Sequence, residues 1–180
     1  YMKTIVIYHS QTGFTKRYAQ WLSEASDADL MELSEAKKKG ADALSAYDAI
    51  IFGGWACAGG ISRLSWFKSN MGSWEGRKLI VYCVGASPAD SPDVEPALRQ
   101  NFTESELEKV NVFYCPGGLD YDKMPLPSKL MMKMFLGTLK AKKHKTEVEQ
   151  EMVKMISASY DIADKKYIMP ILDCLKGETV

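Results

Sequence analysis

Short apolar runs, each closed by glycine, serine or proline, set the tightest limit on what this chain can fold into. They are Thr4-Ile5-Val6-Ile7-Tyr8, Ala49-Ile50-Ile51-Phe52, Lys78 to Val84 and Val110 to Cys115. Continuous runs rich in β-branched residues suit strands buried on both faces of a parallel sheet. Parallel strands need crossovers, and helical stripes lie between the runs. Phe14, Tyr18, Trp21, Leu22 and Ala25 recur at i, i+4, i+7, i+8 and i+11. Ile61, Leu64, Phe67 and Met71 fall on one side of a second helix, and Val94, Leu98 and Phe102 space a third. Leu30-Met31-Glu32-Leu33 supplies one more short strand, and Ser34 to Gly40, with three lysines, reads as a solvated connection. Strands that alternate with helices imply right-handed βαβ units, which put helices on both faces of one sheet. The fold class is therefore α/β, a three-layer α/β/α sandwich.

The pattern breaks between about residues 116 and 145, where two glycines, Pro125, Pro127 and the Met-rich run Leu130 to Leu136 read as an insertion with its own short helix. Val148, Met152, Met155, Ile156 and Ser159 restore a helical stripe, expected to be the last helix covering the sheet. From Lys165 on, with Pro170 as a break, a short apolar tail folds back on the body. No repeat, low-complexity tract or Gly/Ser linker divides the chain, and 180 residues at 46% apolar suffice for one sizeable core. Residues 1–180 are expected to form a single domain.

Charge and cysteine usage exclude several classes. With 23 basic and 23 acidic residues, no global field draws the protein to nucleic acid or anionic lipid, so partners must be recognised locally. No apolar run approaches the roughly 20 residues that cross a bilayer, and Met2-Lys3-Thr4-Ile5-Val6 passes straight into a strand instead of a signal peptide. A cytoplasmic protein without stable membrane insertion is the expectation. Cys57, Cys83, Cys115 and Cys174 stand far apart and read as packed thiols; with only His9 and His144 beside them, no metal site is expected.

Ser10-Gln11-Thr12-Gly13-Phe14-Thr15 lies between the first strand and the first helix, where unpaired N–H groups and the helix dipole favour an anion. Hydroxyls of Ser10, Thr12 and Thr15 can donate to phosphate oxygens, and Gly13 lets the chain curl closely. There is no Gly-Lys-Ser/Thr ending and no Gly-x-Gly-x-x-Gly, so the loop suits one terminal phosphate held without a metal. By itself an ordinary N-cap explains the same residues. Two further loops, Gly53 to Ile61 and Gly85 to Asp93, follow strands at the same carboxyl edge, where ligands of such sheets bind. In the first, Gly54, Trp55 and Ala56 leave room for a flat ring against the indole, the alternative being a core aromatic. In the second, the backbone of Gly85, Ala86 and Ser87 can meet the polar edge of such a ring, although plain turn chemistry accounts for it almost as well. His9 borders the phosphate loop and reads as a packed histidine at a strand end.

Ile5 to Thr15 resembles the flavodoxin signature, and Tyr47 to Trp55 resembles the third strand and following loop of that family. Phe113 to Tyr121, followed by Leu130 to Met134, is similar to the branch that includes the menaquinone-dependent protoporphyrinogen oxidases. The resemblance implies a flavodoxin-like five-stranded parallel sheet in the order 2-1-3-4-5. It implies non-covalent FMN, with its phosphate on Ser10 to Thr15 and its isoalloxazine ring between the loops at Trp55 and Ser87. Electron-carrier flavodoxins are typically acidic and carry a tyrosine after the fourth strand; this chain is neutral and has Ala86-Ser87-Pro88-Ala89-Asp90 there, with Tyr121 as a candidate replacement. The cofactor of a flavoprotein carries the redox chemistry, so no catalytic side chains are expected.

Three readings stay open. The first is an electron carrier or general FMN oxidoreductase working with a redox partner protein or a small-molecule acceptor. The second is a quinone-linked oxidase in which Leu130 to Phe135 forms an apolar platform near a membrane or a hydrophobic substrate, against ordinary core packing of those methionines. The third is a non-catalytic binding module on the same fold. A homodimer is compatible with all three.

Overall fold

The computed structural model describes residues 1–177. Its first unit is β1 (Thr4–Tyr8), α1 (Phe14–Ser26) and β2 (Asp29–Glu32), followed by α2 (Leu33–Lys39) and α3 (Ala41–Leu44). Next come β3 (Ala49–Cys57), the short β4 (Gly60–Ile61), α4 (Leu64–Asn70) and a 3₁₀ turn at Met71–Trp74. Then follow β5 (Lys78–Gly85), α5 (Val94–Arg99), α6 (Glu104–Leu107) and β6 (Val110–Pro116). The chain continues through β7 (Gly118–Leu119), α7 (Leu126–Ala141), α8 (Glu147–Ile156) and β8 (Tyr160–Asp161). A 3₁₀ turn at Lys165–Ile168 leads into α9 (Met169–Lys176).

The main sheet runs β2-β1-β3-β5-β6, all parallel, so its five parallel strands stand in the order 2-1-3-4-5. Because successive side chains on a strand point to opposite faces, each apolar run feeds two cores at once. Ile5, Ile7, Ile50, Phe52, Leu79 and Val81 pack with α2 to α6 on one face. Val6, Ala49, Ile51, Ile80 and Tyr82 pack with α1 and α9 on the other. This double burial is why the runs are continuous rather than alternating.

The structure corrects several sequence expectations. The lysine-bearing stretch after β2 is the helix α2, whose Leu33 and Ala36 are buried while its lysines face water. Strand β3 does not stop at Phe52 but runs on to Cys57 and turns back as β4, so Gly54, Trp55 and Ala56 stand on a strand rather than in a loop. Ile61 belongs to β4, not to the helix that follows. Helix α8 does not cover the sheet: only Ile156 is buried, and the helix packs on α7. The sheet-covering helix is α9 in the C-terminal tail, with Ile171 and Leu175 in the core. An apolar stripe shows that a helix has a face to bury; it does not say against what.

The insertion is also longer than its composition suggests. Strands β7 and β8 pair antiparallel, Gly118 with Asp161 and Leu119 with Tyr160, so the excursion runs from 118 to 161 and is closed by a ribbon at its base. Gly118 has φ +149°, and a Cβ there would stand 2.1 Å from the Tyr160 carbonyl oxygen, which makes glycine the residue this closure needs. Among the described residues no helix is long and apolar enough to cross a membrane.

Candidate functional site

The carboxyl ends of β1, β3 and β5 open into one cleft, which with its solvent-open mouth spans about 800 Å³ of empty space. Ser10, Gln11, Thr12, Phe14 and Thr15 form one side, Trp55 and Ala56 from β3 another, and Gly85 and Ala86 a third. These nine of the sequence-predicted residues come together. Gly13, Gly54 and Ser87 do not line the cavity. Gly13 is the N-cap of α1 at φ 103°, a backbone geometry that lets the loop turn into the helix. Gly54 sits where a Cβ would stand 2.6 Å from the Ser62 carbonyl oxygen, so its glycine is a packing requirement of the β3–β4 turn. Ser87 lines a smaller neighbouring cavity of about 570 Å³ that shares Ala56, Gly85 and Ala86 with the first.

At the phosphate-type loop, Ser10 Oγ accepts a hydrogen bond from Gly13 N–H at 3.1 Å, which tightens the turn. No side chain caps α1 and no acidic residue stands in its first turn, so the N–H groups and positive dipole end of a 13-residue helix meet the cavity unopposed. The loop itself carries no cation; Arg17, one turn in, is paired with Asp161 at 2.7 Å. The base of the cradle is rigid. Thr15 is buried, its carbonyl accepts from Tyr82 Oη at 3.1 Å, and Tyr18 Oη donates to the Pro116 carbonyl at 2.5 Å.

Trp55 stands beside Val84 in the parallel register, and its Nε1 is the one buried side-chain polar atom without a hydrogen-bond partner among the described residues. The Trp55 side chain lines the cavity beside Ala56 and Val84. The loop after β5 uses its carbonyls internally. Gly85 O accepts from Gly117 N–H at 2.8 Å, Ala86 O from Tyr160 Oη at 2.6 Å and Ser87 O from Tyr114 Oη at 2.8 Å. Burial pushes the Tyr160 hydroxyl up to about 12, which keeps it a donor. These three hydrogen bonds fix the start of the loop against β6, β8 and the residue after β6.

Tyr121 does not reach the cavity. Its hydroxyl donates to the Ile156 carbonyl, and its N–H donates to Ser159 Oγ at 2.9 Å, so it braces the base of α8. His9 stands outside the cavity as well, and burial, reinforced by the Arg63 charge, holds its pKa below the usual 6.5. Burial pushes the Cys83 thiol up to about 12, which leaves it an inert packing group. Among the described residues no cluster of His, Cys, Asp or Glu could hold a metal ion.

Sequence reasoning missed a whole wall. Met124, Ser128, Met131 and Met132 from the excursion, with Leu119 of β7, close the cavity on its fourth side. Gln11 Nε2 donates to Ser128 Oγ at 3.1 Å and so ties the loop to α7 across 117 residues of sequence. Only the methionine richness of the segment signalled this role, and methionine is equally common as core filler.

Comparison with known proteins agrees with this architecture. The family model described as a flavodoxin domain matches residues 5–148. No curated protein matches the chain. Among solved structures, a WrbA-like flavodoxin from Agrobacterium tumefaciens is similar at 22% identity and a TM-score of 0.51, over 72% of this chain and 88% of that one. A flavodoxin from the domain Archaea aligns over 85% of this chain and 99% of its own at 17% identity and a TM-score of 0.45. A flavoprotein in complex with FMN from Lactobacillus acidophilus aligns over 64% and 93% at 17% identity and a TM-score of 0.40.

Proposed function

This chain belongs to the flavodoxin domain family, and from that premise we propose that it binds FMN non-covalently in the cavity at the carboxyl edge of its sheet and acts as a redox protein through it. The reading takes residues 1–180 as one such domain. The observation that carries it is the N-terminus of α1, without a side-chain cap or an acidic residue in its first turn, at a cavity that Trp55 also lines. One end of the cavity offers amide and hydroxyl donors to a dianion, and the rest offers mainly apolar walls.

Bound FMN supplies the electron-accepting and electron-donating ring. The chain's own contribution is to bind, orient and exclude water. Ser10, Thr12 and Thr15, together with the first-turn N–H groups of α1, hold the terminal phosphate without a metal ion or a lysine. Trp55, Ala56 and Val84 give an apolar surface that shields the ring. The internally bonded carbonyls after β5 keep that loop in one conformation. No side chain of the cavity is assigned as acid, base or nucleophile. Its partner is a redox protein or a small-molecule acceptor.

The test is a titration of flavin-free protein with FMN and with riboflavin, followed by indole fluorescence and visible absorbance. FMN should bind far more tightly than riboflavin and quench Trp55. Equal affinity for the two, or no uptake of either, would leave the non-catalytic binding module as the surviving reading.

A second reading rests on the methionine wall. Met124, Met131 and Met132 extend the cavity with flexible apolar side chains, which suits a quinone-linked oxidase of an apolar substrate. Turnover of protoporphyrinogen with a menaquinone analogue would favour it. Rapid electron exchange with a redox protein and no such turnover would favour the carrier.

A further inference from the structure

Helix α7 is turned inside out. None of its 16 residues is buried, and its large apolar side chains face water: Leu126 is 78% exposed, Leu130 57%, Met134 65% and Phe135 46%. At 100° per residue, Leu126, Leu130 and Met134 form one row with the exposed Met131 next to it and Phe135 beyond, while Ser128, Met132, Leu136 and Leu139 take the sheltered side toward the body. The apolar row itself carries no charge, and no acidic residue stands anywhere on the helix. Lys129, Lys133 and Lys140 stand together along one border of it, and Lys142, Lys143 and Lys145 follow its C-terminal end.

The charge distribution is as uneven as the apolar one. Residues 123–145 contain seven lysines and no acidic residue, in a chain whose basic and acidic residues balance at 23 each. The rest of the chain is therefore net acidic. Lys123 pairs with Asp120 and Lys142 with Glu149, which leaves Lys129, Lys133, Lys140, Lys143 and Lys145 without an ionic partner among the described residues.

We propose that this face of α7 docks the protein on an anionic lipid bilayer, with the helix lying in the interface rather than crossing it. An apolar face bordered by lysines is what such a surface recognises: the side chains enter the acyl boundary, and the ammonium groups meet the headgroups. Long lysine stems reach past the apolar row to do so. The net-acidic remainder is repelled by the same membrane, so a single orientation is favoured. A second copy of this chain is the poorer occupant, because an antiparallel two-fold contact sets one lysine border against another and neither copy brings acidic residues to this face. Since Met131 and Met132 also line the cavity, docking brings the cavity mouth beside the lipid.

The experiment is sedimentation of the full chain with vesicles of phosphatidylcholine alone and of phosphatidylcholine mixed with phosphatidylglycerol. The protein should pellet with the mixed vesicles, much less with the neutral ones, and less as salt rises. Leu130→Asp/Met134→Asp and Lys133→Glu/Lys140→Glu/Lys143→Glu should each weaken binding by roughly tenfold or more with an unchanged thermal midpoint. These positions lie outside the cavity lining, so flavin uptake by both variants should match the parent whether or not the docking proposal stands. No binding to the mixed vesicles, or equal binding by the aspartate variant, would overturn the proposal. So would a parent protein that is dimeric in sedimentation velocity while the aspartate variant is monomeric, because a second copy would then cover the face.

Discussion

The loop before α1 and the helix α7 approach one cavity from two sides, yet they stand on different foundations. The loop rests on a helix with five buried residues, and on tyrosine hydroxyls from the core that hold the Thr15 and Pro116 carbonyls. Helix α7 has no fully buried residue; it is held by α8, by the ribbon at its base and by the Gln11–Ser128 hydrogen bond. Segments with few buried apolar contacts open at lower free energy than the core they adjoin. One wall of the cavity is thus a fixed cradle, and the other can yield without unfolding the sheet.

That contrast can be broken first on stability. Ile51→Ala empties a fully buried site beneath α1 and should cost about 2–5 kcal/mol in urea unfolding. Leu130→Ala on α7 should stay within about 0.5 kcal/mol, because the side chain is already in water. Comparable losses at the two positions would mean that α7 is part of the core after all.

On binding, Thr12→Val and Thr15→Val each delete a hydroxyl from the cradle. Hydrogen bonds to charged groups contribute about 1.5–3 kcal/mol, so FMN affinity should fall roughly tenfold or more per substitution while riboflavin affinity stays level. Unchanged FMN affinity in the double variant would remove the phosphate from this loop.

Gly118→Ala sharpens the comparison from the other side. The new Cβ overlaps the Tyr160 carbonyl oxygen, and the backbone there is one only glycine adopts readily, a penalty of about 1–3 kcal/mol. Hydrogen exchange should speed up across residues 118–161 and leave β1 to β6 protected. Uniform acceleration would show the ribbon to be integral to the sheet.

The smallest effect is one of pH at the end of β1. Burial first, and the Arg63 charge second, hold folded His9 below 6.5, so the unfolded chain binds the proton more readily. Stability contributed there is present above 6.5 and is lost as pH falls below it. Urea midpoints should drop at mildly acidic pH, and His9→Asn should flatten that slope; an identical slope in the variant would place the sensitivity elsewhere.

Most of the parallel sheet and one wall of the site were legible in the residues. The runs at Thr4–Tyr8, Ala49–Phe52 and Lys78–Val84 declare strands because burial on both faces leaves their interiors continuously apolar. Ser10 to Thr15 declares an anion site because the unpaired groups at a helix start follow from local geometry. Trp55 was found for a reason that proved incomplete. It was placed in a loop by its glycines, whereas Gly54 serves the packing of a strand that continues through it. Met124, Ser128, Met131 and Met132 were not legible as a wall, since their distance from Gln11 in sequence carries no local signal.

What the sequence determined by itself is whatever depends on neighbours along the chain: the strands, most helices, the open turn before α1 and the lysine-rich character of 123–145. What only the tertiary structure decided is which partner each face meets. Two helices with apolar stripes, α8 and α9, exchanged the roles expected of them, and α7 turned its stripe to water. Periodicity measures how apolar residues are arranged around an axis, and that arrangement is the same whether the covering surface is a sheet, another helix or a lipid.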